Sequence, residues 1–177
     1  MLGYVCKYTP MELFEAMDTE ITRLEPSVTD FNHADTLMHA NICSYTKAVL
    51  EDVMEHDYEG VILTTCCDSI RRLYDTLKSQ FPDKFFFLLD IPRKFNDFAV
   101  TLYERQLKQM LTEYEAFSGK TLDLKRFVSM MQNKAALKKQ ENTRMSASAA
   151  SEKGNGQKLN IGIMGARCNN CLLYTSP

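Results

Sequence analysis

The chain has 177 residues, 45% of them hydrophobic and 25% charged, with a formal net charge of -2. That length holds one domain and the start of another in an ordinary globular composition, and the slight negative balance supplies no basic surface for nucleic acid. The apolar runs are far shorter than a membrane-spanning helix and the first residues carry no signal-peptide pattern, so no membrane association and a cytoplasmic location are expected.

Residues 1–8 are short and apolar and read as a strand or an extended lead-in. Thr9-Pro10-Met11-Glu12 reads as a helix start, with Thr9 as the cap, Pro10 at the first helical position and Glu12 in the first turn. That helix is expected to run to about Met17. Residues 19–41 read as irregular, and His33 and His39 within them as solvated side chains. Ser44 or Thr46 can cap a helix reaching about His56. After a break at Tyr58-Glu59-Gly60, residues 61–65 (VILTT) are β-branched and apolar, the pattern of a buried strand.

Cys66 and Cys67 follow that strand, with Asp68 as a helix cap. The next segment carries Ile70, Leu73, Tyr74 and Leu77 at helical spacing. Pro82-Asp83 turns the chain into a second buried strand at 85–89 (FFFLL). Strand, helix and strand in succession, with continuous apolar strands, predict a parallel sheet covered on both faces. The expected fold is α/β, a Rossmann-like N-terminal domain over 1–95. A helical segment over 96–140 follows, holding one helix at 98–117, a break at Ser118-Gly119 and a second helix from Thr121. Residues 141–158 read as a linker or exposed loop. Residues 159–177 read as the truncated start of a second α/β domain, so the chain is expected to be a fragment. Its last residues, 171–177 (CLLYTSP), resemble translated sequencing-adapter read-through, which would leave Cys171 without biological meaning.

The six cysteines are Cys6, Cys43, Cys66, Cys67, Cys168 and Cys171. In a reducing compartment cysteines serve metals or redox chemistry more often than disulfides, though any one alone is more often a small buried hydrophobe. Cys67 lies between a buried strand and a helix start, where open α/β sheets bind ligands and helix N–H groups favour a thiolate. Cys43 also directly precedes a helix. Cys66 is expected to point away and pack. The separation of Cys43 and Cys67 matches neither a compact ferredoxin run nor a paired zinc pattern.

Four segments occur in order: GYVCKYTPMELFEAM (3–17), HANICSYTKAVLE (39–51), GVILTTCCDSIRRLYDTLK (60–78) and FFFLLDIPRK (85–94). Together they resemble the N-terminal region of the family of 2-hydroxyacyl-CoA dehydratase and benzoyl-CoA reductase subunits. The resemblance covers about residues 3–165. It implies a [4Fe-4S] cluster held by three cysteines, the first two matching Cys43 and Cys67, the third lying beyond this chain. Cys6 belongs to the opening motif and is not implied as a ligand. Three protein ligands leave one iron open as Lewis acid and electron donor. The implied reaction is radical dehydration of an (R)-2-hydroxyacyl-CoA to a 2-enoyl-CoA, after one-electron injection by an ATP-hydrolysing iron–sulfur activator. A homologous second subunit, as a heterodimer, and an acyl-CoA substrate are the other implied partners. A benzoyl-CoA reductase-type subunit and a non-catalytic iron–sulfur binding or maturation protein remain open alternatives.

Overall fold

The computed structural model describes residues 1–28, 30–92, 94 and 96–136. The expected linker at 141–158, the strand near 159–164, Cys168 and Cys171 lie outside the described residues. In chain order the elements are β1 (Leu2–Tyr4), α1 (Met11–Glu15), β2 (Ile21–Arg23), α2 (Asn32–Leu37), α3 (Ser44–Glu55), β3 (Gly60–Thr64), α4 (Asp68–Gln80), β4 (Phe85–Leu89) and α5 (Asp97–Ser118). A further helical stretch covers 124–136.

The four strands form one sheet in the order β2-β1-β3-β4, and every neighbouring pair is parallel. The predicted α/β, Rossmann-like architecture is therefore the observed one. Because side chains alternate along a strand, each strand feeds two cores. Val61, Leu63 and Phe86 join Val49, Leu50, Val53, Ile70, Leu73 and Leu77 of α3 and α4 on one face. Ile62, Phe85, Phe87 and Leu89 join Phe14 of α1 and Met110 and Tyr114 of α5 on the other. The uninterrupted apolar runs at 61–63 in β3 and 85–89 in β4 are thus what a sheet buried on both sides requires.

Two glycines have particular work. A Cβ on Gly60 would sit 2.0 Å from the Phe85 carbonyl oxygen, so the first β3–β4 pair closes only without a side chain. Gly119 adopts the left-handed conformation at φ 69° and ends α5, which is the expected break at Ser118-Gly119.

Three local expectations need correction. Thr9 does not cap α1. Its N–H bonds Cys6 O at 2.9 Å in a tight turn, which makes Pro10 the N-cap residue and leaves Thr9 Oγ1 buried without a hydrogen bond. Residues 19–41 are not irregular throughout, since they hold β2 and α2. Asp68 is not the cap of α4 either. It is the first helical residue, and Cys67 occupies the N-cap position.

Candidate functional site

In open parallel sheets, ligands gather beyond the carboxyl ends of the strands. Here that edge carries every described cysteine. Cys6 follows β1, whose pairing with β3 continues through Val5 N–H to Ile62 O at 3.2 Å. Cys66 and Cys67 follow β3, where Cys66 N–H bonds Thr64 O at 2.7 Å and turns the chain sharply out of the sheet. Cys43 ends the loop into α3.

Cys43 and Cys67 are the N-cap residues of α3 and α4, both with extended backbone and both exposed. Each thiol therefore stands where unpaired helix N–H groups concentrate positive partial charge. The two helices pack against each other, α4 opening with Asp68 and Ser69 beside α3. Thr46 Oγ1, fully buried one turn into α3, lies 3.1 Å from Cys43 Sγ. Burial pushes the Cys43 thiol up. The Thr46 side chain and backbone, the Ser69 hydroxyl and the Tyr45 backbone outweigh it, so the net acidity is increased.

Cys66 behaves oppositely. Burial pushes its thiol up, and the neighbouring Cys67 and Cys6 sulfurs add to this against the Thr64 hydroxyl. It is nonetheless exposed, so the expectation that it packs away is corrected: the sharp turn at Thr64 brings Cys66 and Cys67 side by side. Cys6 is half-buried nearby. The histidines expected to be solvated divide. His39 is exposed and its Nδ1 accepts from Asn41 N–H at 3.2 Å. His33 donates from Nδ1 to Glu51 at 2.7 Å, and the buried Glu51 carboxylate also accepts Ala34 N–H at 2.8 Å, fixing α2 to α3.

A cleft of about 510 Å³ lies between the α2–α3 connection and α4, lined among others by His39, Ile42, Asp68, Ser69 and Arg72. It opens beside the residues that neighbour Cys43 and Cys67 in the chain. A more apolar groove of about 330 Å³ lies at the start of α5, between Tyr8, Ile91, Pro92, Val100 and Tyr103. Among the described residues, no three His, Cys, Asp or Glu side chains converge in a metal-binding group. No described helix is long and apolar enough to cross a membrane.

Sequence reasoning located Cys43 and Cys67 at two helix starts but offered Ser44 or Thr46 as the cap of α3, whereas Cys43 is the N-cap and Thr46 lies one turn inside with its hydroxyl on the Cys43 sulfur. The signal for Thr46 was present in Cys43-Ser44-Tyr45-Thr46, the N-cap to N3 spacing of a capping box.

Comparison with known proteins agrees with this architecture. The family model described as "2-hydroxyglutaryl-CoA dehydratase, D-component" matches residues 6–161. No curated protein matches the chain. The match spans most of the sequence, including the three strands after β1 and both cysteine-bearing helix starts. The chain therefore belongs to the 2-hydroxyglutaryl-CoA dehydratase D-component family, and is a component of a 2-hydroxyacyl-CoA dehydratase.

Proposed function

We propose that this chain contributes Cys43 and Cys67 as two thiolate ligands of a [4Fe-4S] cluster in an (R)-2-hydroxyacyl-CoA dehydratase. The observation that carries the reading is the pairing of two cysteine N-caps on packed helices at the carboxyl edge of a parallel sheet. The donor set suits the group: iron binds thiolates, and both thiols are exposed at helix N-termini. The third ligand is expected from outside the described residues.

When bound, the cluster supplies one-electron transfer and an open Lewis-acid iron. The chain's own contribution is to hold the two sulfurs. The Thr46 and Ser69 hydroxyls stabilise the Cys43 thiolate, and the N–H groups opening α3 and α4 offset negative charge that gathers at the site. The neighbouring cleft leaves the edge accessible to an acyl-CoA. A one-electron, ATP-hydrolysing activator and a homologous second subunit complete the proposed system. The family's designation as one lettered component of a dehydratase supports an assembly of several components. Four free thiols among the described residues suit a reducing cytoplasm.

The test is anaerobic reconstitution of the dehydratase component that carries this sequence, followed by visible and electron paramagnetic resonance spectra. A cluster signal that Cys43→Ala abolishes supports the reading. An undiminished signal in that variant refutes it.

A further inference from the structure

The groove at the start of α5 is chemically unlike the cleft beside the cysteines. Its walls are the exposed Tyr8, the half-buried Tyr103, Ile91, Pro92 and Val100, and the exposed Lys94 completes them. Tyr103 donates to the Tyr8 carbonyl oxygen at 3.3 Å, which ties the two aromatic residues together. Lys7 Nζ stands 5.1 Å from the centroid of the Tyr8 ring. Two cations therefore accompany an aromatic slot, and among the described residues no carboxylate lines it. The cleft beside the cysteines instead mixes Arg72 with Asp68 and Asp75. A volume of about 330 Å³ is at the low end for small-molecule sites, room for one ring system rather than for a whole acyl-CoA.

Building on the acyl-CoA reading proposed above, we infer that this groove is the subsite for the nucleotide end of CoA, with the adenine ring packed against Tyr8 and Tyr103 and the phosphates met by Lys7 and Lys94. A planar heteroaromatic ring gains from stacking on aromatic side chains, and phosphate gains from nearby ammonium groups. The acyl end of the thioester in the family's description, a hydroxyglutaryl chain, is short and carries a carboxylate, so an aromatic slot suits it less than it suits adenine. The placement fits as well. Tyr8 lies beyond the carboxyl end of β1, and Ile91 and Pro92 lie beyond that of β4. β3, whose end carries Cys66 and Cys67, runs between β1 and β4. The groove is on the α5 side of the sheet and α3 and α4 are on the other, so the pantetheine arm crosses the strand edge to reach the cysteines. Binding energy from the remote nucleotide then holds the reacting end in place.

The experiment titrates the whole dehydratase component with CoA, adenosine 3′,5′-bisphosphate, adenosine and pantetheine in separate calorimetric runs, and iron content is measured on the same preparations. The bisphosphate is expected to bind and to compete with CoA, and pantetheine is expected not to displace it. Tyr8→Ala should weaken the bisphosphate on the order of tenfold. Lys94→Gln should weaken it several-fold while leaving adenosine unchanged. Retained iron should stay at the wild-type value in both. Circular dichroism reports folding; if Tyr8→Ala does not fold, Lys94→Gln decides. Bisphosphate binding at wild-type strength in the folded variants overturns the inference. Displacement by pantetheine also overturns it and gives the groove to the arm. Weakened association with the second subunit in place of weakened nucleotide binding overturns it too and gives the groove to a partner protein. A wild-type component that binds no CoA at all refutes the acyl-CoA reading together with the subsite. Absence of any cluster with the bisphosphate effects intact refutes the ligand assignment alone and supports the subsite.

Discussion

The two ends of the parallel sheet treat polar groups in opposite ways. At the amino end, the buried Tyr114 and Thr19 are tied to each other and to more exposed charged groups. Tyr114 of α5 donates to Glu59 at 2.8 Å and shares a bond of 3.1 Å with Thr19, and Lys120 donates to Thr19 at 3.1 Å. Burial and Glu59 push the Tyr114 phenol up to about 12 despite the Thr19 bond. Glu59 also faces the N-terminal ammonium at 3.7 Å. Such a closed network holds the first residues of β1 and β3 in register. At the carboxyl end, three of the four described cysteines are exposed and the nearby cleft is open. One end is built to be stable and the other to be reached, which is the division expected when a rigid sheet presents chemistry on its loops.

That contrast can be broken from the stable end first. Gly60→Ala is expected to be the most damaging single change, because its Cβ would fall 2.0 Å from the Phe85 carbonyl oxygen in paired backbone. A loss of about 4 kcal/mol, at the severe end of single substitutions, should appear in urea unfolding. Tyr114→Phe keeps the aromatic packing against Phe14 and Phe85 but leaves Glu59 and Thr19 without their shared partner. It should cost about 1–3 kcal/mol in the same measurement while the iron retained by the reconstituted component stays at its wild-type value. Lower iron retention would show that the two ends are not independent.

A smaller effect comes from Glu51, which lies between these regimes. Burial pushes its carboxyl up, but the Ala34 N–H and His33 outweigh this and hold it below the usual carboxylate range. With the folded-state pKa depressed, the unfolded state binds more protons in acid. The stabilisation is therefore complete above the unfolded pKa, about 4.3 for Glu, and is lost as pH falls through the lower folded value. Glu51→Gln should flatten the fall in the urea midpoint between about pH 6 and about pH 3 that the wild type displays. An equally steep fall in the variant would assign the acid sensitivity to other carboxylates.

Much of this was legible in the sequence wherever pattern and burial agree. The strands β3 and β4 and the helices α3, α4 and α5 each carry long runs of consistent spacing, and their burial follows that spacing. The short elements were not legible. β2 has three residues, all only half-buried, and exists because β1 offers it a parallel edge. α2 has six residues, and its Ala34 N–H donates to the Glu51 carboxylate seventeen positions away. The same limit applied at the site. The cysteine N-caps could be placed from local context, because a strand end and a helix start are local events. The exposure of Cys66 and the packing of α3 against α4 depend on a sharp turn and a helix pair, and neither leaves a mark in the neighbouring residues.

The central claim concerns which sulfurs bind iron, and iron content measures it directly. The dehydratase component should be reconstituted anaerobically as wild type, Cys43→Ala, Cys66→Ala and Cys67→Ala, then desalted and assayed for iron and sulfide. These exposed positions should leave folding stability within about 0.5 kcal/mol of wild type, so lost metal can be read as lost ligation. The account predicts that Cys43→Ala and Cys67→Ala fail to retain iron and that Cys66→Ala retains it. Full iron in Cys67→Ala together with loss in Cys66→Ala would contradict it and move the ligand one residue along the chain.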